Sequence, residues 1–289
     1  MESEVADPKH FLYLDSLPEK HKQAMLSSLH GGWVFTERMR TREDGKEIEV
    51  PDGMVHHWMA IGFLPGATLQ QVVGLAEDYS RHVQIYAPDI QKAEVLSHTA
   101  GHDIVAFRFY RQSIVTIAYN TEFKVDYFFL GTSRVCSFSR SVKIAELENP
   151  GKADEKELPV GNDHGYMWRL NLYTRYLERD NGVYLQIEFL ALSRSVPAIF
   201  AWIVNPYIRS VPRDYLTHYI GATRKALNAR AAGMACGTMA SENPAERVCQ
   251  ARPVFTAAIA SAWKVGAQGL KRGARGNLTD LRVFEDAPA

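Results

Sequence analysis

Between residues 102 and 194 the chain alternates apolar and polar side chains in long runs, most of them well beyond the ~5–6 residues of an ordinary strand. The clearest run is 113–130. There Val115, Ile117, Tyr119, Phe123, Val125 and Tyr127 interleave with Thr116, Asn120, Glu122, Lys124 and Asp126. Period two with one apolar face predicts an antiparallel sheet with one side covered and the other wet. Residues 103–111, 134–148, 164–178 and 183–194 read the same way. In the last two, Tyr166, Trp168, Leu170, Leu172 and Tyr176 share one face, as do Val183, Leu185, Ile187 and Phe189. Asp180-Asn181-Gly182 is a hairpin turn signal. Residues 149–163 carry Pro150, Gly151, Pro159 and Gly161 and are too long for a hairpin loop, which predicts a flap.

At Pro197 the period changes. Phe200, Ile203, Val204 and Tyr207 have helical spacing, Pro206 is expected to interrupt the helix, and a second start follows at Ser210–Pro212. Leu216, Tyr219, Ile220, Thr223 and Leu227 then form a continuous apolar stripe ending near Arg230. Upstream, residues 54–64 read as a strand with Val55, His57, Met59, Ile61 and Phe63 on one face. Thr68 caps a helix with Leu69, Val72, Val73, Ala76, Tyr79 and Val83 on its apolar side, and 90–97 is a short strand. Near the start, 18–29 reads as a short helix capped by Ser16 and stopped by Gly31-Gly32, with a strand at 33–39. The expected division is an N-terminal appendage (1–50), one α+β domain (51–230) and a flexible Ala/Gly/Arg-rich tail (231–289) with one weak helix around 254–265.

Lys+Arg and Asp+Glu both number 33 in 289 residues, so the net charge of zero argues against a nucleic-acid binder working through bulk charge. Three cysteines, Cys136, Cys236 and Cys249, are too few and too scattered for a disulfide framework or a zinc site, and Cys136 reads as a small core residue. No apolar run reaches the ~20 residues that span a bilayer, and the first residues lack a secretory pattern, so the expectation is a cytoplasmic protein. The dispersed basic residues after Arg230 allow a transient membrane contact.

The order strand, helix, antiparallel meander and long helix resembles the START-like superfamily, also called helix-grip, polyketide cyclase/dehydrase or SRPBCC, in its bacterial lipid-binding type. The resemblance runs over about residues 54–228. Its most specific stretches are Gly182-Val183-Tyr184-Leu185-Gln186-Ile187-Glu188, Ser193-Arg194-Ser195-Val196-Pro197, Trp202-Ile203-Val204-Asn205-Pro206 and Pro212-Arg213-Asp214. What it implies is a curved antiparallel sheet wrapped around a long C-terminal helix. It also implies a hydrophobic cavity between them and a lipid-like partner, with no universal catalytic motif.

On that expectation Tyr119, Phe123, Trp168, Leu185, Ile187, Phe189, Phe200, Ile203 and Tyr207 are the ligand-binding candidates. No catalytic residue, metal ligand or cofactor is assigned, because no G-x-S-x-G, P-loop, dinucleotide fingerprint or H-E-x-x-H is present, and Ser113, Ser137 and Ser139 lack an activating context. His56 and His57 point to opposite faces of their strand and cannot chelate one metal together. Asp163-His164 reads as a turn with a surface histidine, or as a group at a pocket mouth. Glu122, Lys124, Asp126, Arg169, Arg175 and Glu188 read as the exposed face of the sheet, with Glu188 a buried carboxylate and site candidate if even residues face inward there. The function expected is non-catalytic binding, with possible transfer, of a hydrophobic small molecule. The alternative is a cyclase or aromatase using the same cavity, which needs an inward acid or base such as His57, Tyr119 or Glu188.

Overall fold

The computed structural model describes residues 10–43, 45–99, 102–112, 116–195 and 198–238, and in the final helix the side chains of residues 210–230. After a short 3₁₀ turn at Tyr13–Ser16 come helix α1 (Glu19–His30) and strand β1 (Phe35–Arg38). A two-residue pair, β2 (Arg42–Glu43) and β3 (Lys46–Glu47), leads to β4 (Gly53–Pro65). Helix α2 (Leu69–Glu77), a 3₁₀ turn and α3 (His82–Ile85) precede the meander. The meander comprises β5 (Ile90–Thr99), β6 (His102–Gln112), β7 (Thr116–Phe129), β8 (Arg134–Glu148), β9 (Lys156–Glu157), β10 (Arg169–Glu178) and β11 (Gly182–Arg194). Helix α4 (Ala198–Thr238) follows.

One antiparallel sheet runs in the order β1-β4-β11-β10-β8-β7-β6-β5, with β9 attached to β8. The first strand of the domain therefore pairs with the last, and the meander fans out from that seam. Asp180 and Asn181 take φ of 59° and 57°, the left-handed pair that a tight hairpin needs. Register shifts in β5–β6 and in β7–β8 mark bulges, which bend strands. Helix α4 lies on the inner face: Leu216, Ile220 and Leu227 pack against Ala60, Leu64, Val183, Leu185 and Ile187. Gly62 permits this contact, since a Cβ there would stand 2.5 Å from Ile220 Cγ2. This is the antiparallel sheet packed on a long C-terminal helix that the resemblance implies.

The outer face of the seam is covered by the N-terminal segment. Phe11, Leu12, Leu14 and Leu29 pack with Met59, Ile61, Phe63 and Tyr184, all at most 5% exposed. The expected face of β4 (Met59, Ile61, Phe63) is thus apolar for the N-terminal segment and not for α4. Thr68 caps α2 as expected, accepting from Gln71 N at 3.3 Å. Ser16 does not cap α1; Pro18 occupies the cap position, with its fixed φ preorganising the first turn.

Three further expectations are corrected. Pro206 does not interrupt α4, which is continuous from Ala198 to Thr238. One missing N–H is a local loss, and the remaining turns of a 41-residue helix hold its path. The helix also runs past Arg230, through an alanine-rich stretch with high helix propensity. Finally, Asp126 (2% exposed) and Arg175 (6%) are buried, and the Glu188 side chain is 12% exposed. Arg175 and Glu188 lie under the N-terminal segment, and Asp126 is ringed by Lys124, Arg140 and His102. Residues 239–289, and with them the weak helix expected at 254–265, lie outside the described residues.

Candidate functional site

The inner face of the sheet has two regions. Toward β4 and β11 the contact with α4 is closed: Ala60, Leu64, Leu185, Ile187, Leu216 and Ile220 are at most 3% exposed. Toward β6, β7 and β10 it is looser. Phe107, Phe109, Ile117, Tyr127, Leu172 and Phe189 surround Val105, Tyr119, Phe123 and Val125 yet stay partly buried. Tyr215 and Tyr219 face this region from α4 and are partly buried as well. The Phe189 and Tyr215 rings lie 6.4 Å apart.

Phenols concentrate here. Tyr86 stacks on Tyr219 (4.4 Å, 8°), and its hydroxyl meets Thr223 Oγ1 at 3.1 Å. The Tyr79 hydroxyl donates to Asp103 Oδ2 at 3.2 Å. Burial pushes the Tyr119, Tyr127 and Tyr219 hydroxyls well above the usual 10, so all stay neutral. Behind them His82 (5% exposed) donates from Nε2 to Ala76 O at 3.1 Å, and burial lowers its pKa to about 4.

At the far end of β8, Glu146 lies opposite Tyr119 on the same face. Its side chain is 6% exposed, and Oε1 is 2.5 Å from Nδ1 of His164, a ring that is 59% exposed. Burial raises the Glu146 carboxyl above its ordinary range, and the hydrogen bonds from His164 oppose that rise. Asp163 makes the turn, accepting from Gly165 N at 2.8 Å. The reading of Asp163-His164 as a turn with an exposed histidine describes the structure. The segment between β8 and β10 is pinned on its way: Arg108 holds Glu155 with two hydrogen bonds (2.6 and 2.7 Å), and Glu157 accepts from Asn120.

A second polar group lies on the outer face. His57 Nδ1 meets Thr41 Oγ1 at 3.0 Å, and Nε2 stands 3.7 Å from Glu188. Glu188 is 3.3 Å from Arg175, whose guanidinium also donates to Phe11 O. Burial pushes the Glu188 carboxyl up, but the His57 hydrogen bond and the Arg175 charge outweigh it and hold it below the ordinary range. A cleft of about 870 Å³ opens beside His57, lined by residues such as Arg38, Arg40, Glu47 and Glu49. His56 points the other way, to Ser193 Oγ at 2.8 Å. His57 and Glu188 therefore cannot act with Tyr119, which lies on the opposite face.

Of the ligand-binding candidates, Tyr119, Phe123 and Phe189 meet in the looser region, while Leu185 and Ile187 fix the sheet to α4. Trp168 stands at the end of the sheet with the Arg194 guanidinium 5.9 Å from its ring centre. Phe200, Ile203 and Tyr207 lie in α4 where side chains are outside the described residues. Sequence reasoning did not single out Glu146, Tyr79, Tyr86, Tyr215 or Tyr219 as site residues. The i, i+4 spacing of Tyr215 and Tyr219 beside the α4 stripe is the signal that finds two of them. Among the described residues no group of three His, Cys, Asp or Glu side chains could hold a metal ion, and no helix is long and apolar enough to cross a membrane.

No family model and no curated protein matches the chain. Among solved structures, it is similar to a fragment of the STAR-related lipid transfer protein from Xanthomonas axonopodis, at 15% identity and a TM-score of 0.43, covering 63% of this chain and 96% of that one. It is also similar to human STARD10, at 8% and 0.42, covering 79% and 91%. A third is the Zhui aromatase/cyclase from Streptomyces sp. R1128, at 12% and 0.41, covering 62% and 96%.

Proposed function

We propose that the protein binds an apolar small molecule between the inner face of its sheet and helix α4, as a holder and not as a catalyst. The observation that carries this is that aromatic side chains between the sheet and α4 are only partly buried. The Tyr127, Tyr215 and Tyr219 side chains are surrounded by protein, which pushes their hydroxyls upward, yet they keep accessible surface, as do Phe189 and Leu172. Side chains that merely filled a core would lose that surface, as Leu185 and Leu216 do.

The energetics need no special residue. Each CH₂ removed from water contributes roughly 0.8 kcal/mol, so a ten-carbon chain gains about 8 kcal/mol before ordering costs. Aromatic faces and a few hydroxyls supply orientation.

The test is native mass spectrometry of the purified chain, followed by solvent extraction of whatever it carries. An apolar species at a fixed ratio, removed by extraction and restored by reincubation, is expected. A bare mass that stays unchanged after incubation with a panel of lipids, isoprenoids and fused-ring aromatics rejects the proposal.

A further inference from the structure

We infer that the ligand is an amphiphile whose polar end donates a hydrogen bond to Glu146, through a hydroxyl or an ammonium group, and that ligands ending in an anion are disfavoured. The inference rests on the ligand-binding reading above and adds the chemistry of the polar end.

Glu146 is placed for this role by the β7–β8 register shift. Phe123 pairs with Ser141, but Glu122 pairs with Lys143, so Val142 is the extra residue. Below the bulge, odd residues Ser137, Ser139 and Ser141 face inward; beyond it, the even residues Ile144 and Glu146 do. A carboxylate thereby lies at the end of an apolar face, beside Tyr119 and next to solvent. Its hydrogen-bond partner is His164, an exposed ring stacked on the exposed Tyr166 ring (5.3 Å, 14°). An ionised carboxylate only accepts, with room for more than one donor. A hydroxyl or ammonium arriving from the apolar side completes it; a carboxylate or phosphate meets it charge against charge.

The other acids of this face are already partnered. Asp103 accepts from Tyr79 and pairs with His98, and Asp89 pairs with Arg111 and His218. Arg111 is engaged by Asp89 (3.3 Å). Along β8 the inward Ser137 and Ser139 are neutral. Among the described residues, Arg224 on α4 is engaged by the carbonyls of Phe63 and Gly32 at the closed β4 side, and Arg38, paired opposite Trp58 in β1, is exposed.

The experiment is displacement of 1-aminoanthracene, a neutral fluorophore, from the full chain at pH 7 by decanol, decylamine and decanoate, which share one chain length. Decanol and decylamine are expected to displace it at concentrations about tenfold or more below decanoate. In Glu146→Gln the advantage of decylamine over decanoate should collapse, while decanol stays within about twofold, since an amide oxygen still accepts. His164→Gln, a change at an exposed ring, should keep or increase the preference for decylamine, because the carboxylate loses a competing partner.

Decanoate binding as well as or better than the other two overturns the inference. So does an unchanged order in a folded Glu146→Gln protein. If that variant does not fold, the parent order and His164→Gln decide alone. Absence of binding by the fluorophore and by all three compounds rejects the ligand-binding reading itself.

Discussion

Individual side chains carry the pH response. His82 has an ordinary pKa of 6.5 when unfolded and about 4 when folded, because burial disfavours the imidazolium. Below pH 6.5 the unfolded chain takes up a proton that the folded chain refuses. The stability His82 contributes is complete above pH 6.5 and is lost as pH falls toward 4, on the order of 3 kcal/mol in all. His56 is also lowered to about 4, by burial and then by the Arg38 charge, and has the same sign. Glu146, raised by burial, works in the opposite direction, so the single-residue comparison is the clean one. Urea midpoints measured from pH 7 to 4.5 should fall with pH, and His82→Gln should flatten that fall by close to one proton. Parallel curves for parent and variant would show that His82 is not buried as a neutral ring.

Among the elements, the N-terminal segment has consequences its composition does not advertise. It lays Phe11, Leu12 and Leu14 over the outer face of β4 and β11, where Tyr13 N donates to Gln186 Oε1 at 2.7 Å. The Phe11 ring is 1% exposed, with the Arg134 guanidinium 5.6 Å from its centre. Phe11→Ala should cost about 3–5 kcal/mol by urea denaturation, through lost burial and the cavity left behind. Ligand affinity should remain unchanged, because the inner face lies on the other side of the sheet. A stability loss under ~1 kcal/mol would mean that this cover is peripheral. The segment between β8 and β10 is likewise legible only in three dimensions. Its prolines and glycines suggest a flap, while Arg108–Glu155 and the β8–β9 pairing tie its first half to the outer face.

Over the whole molecule, one strand borders both the closed core and the region where a ligand is proposed to bind. Leu185 and Phe189 share a face of β11 four residues apart. Leu185 is 1% exposed against Leu216 and Ile220, so Leu185→Ala should cost about 2–5 kcal/mol. Phe189 borders the looser region, so Phe189→Ala should cost less than Leu185→Ala while sharply lowering the retained ligand mass in native spectra. Equal stability losses with unchanged ligand retention would place Phe189 in the packed core.

Local periodicity determined much of this architecture. Alternation over 113–130 and 183–194 specifies strands because side chains on a pleated backbone repeat every two residues. The Leu216–Leu227 stripe specifies a helix because its repeat is 3.6. Asp180-Asn181-Gly182 specifies its own turn through its tolerance of positive φ. Opposite faces for His56 and His57 follow from the same rule.

What the sequence left open depends on which surface another segment covers. Met59 and Phe63 share an apolar face of β4, and only the fold shows that residues 11–29 cover it. Arg175 and Glu188 look exposed until the same segment encloses them. The bulge at Val142 reverses which residues of β8 face inward, and a one-residue slip moves every later side chain to the other face. The alternating pattern does not single out Glu146, which is placed opposite Tyr119 only once β7 and β8 are paired. Tertiary structure decided that point because sheet register is a property of two strands, and one strand's pattern does not contain it.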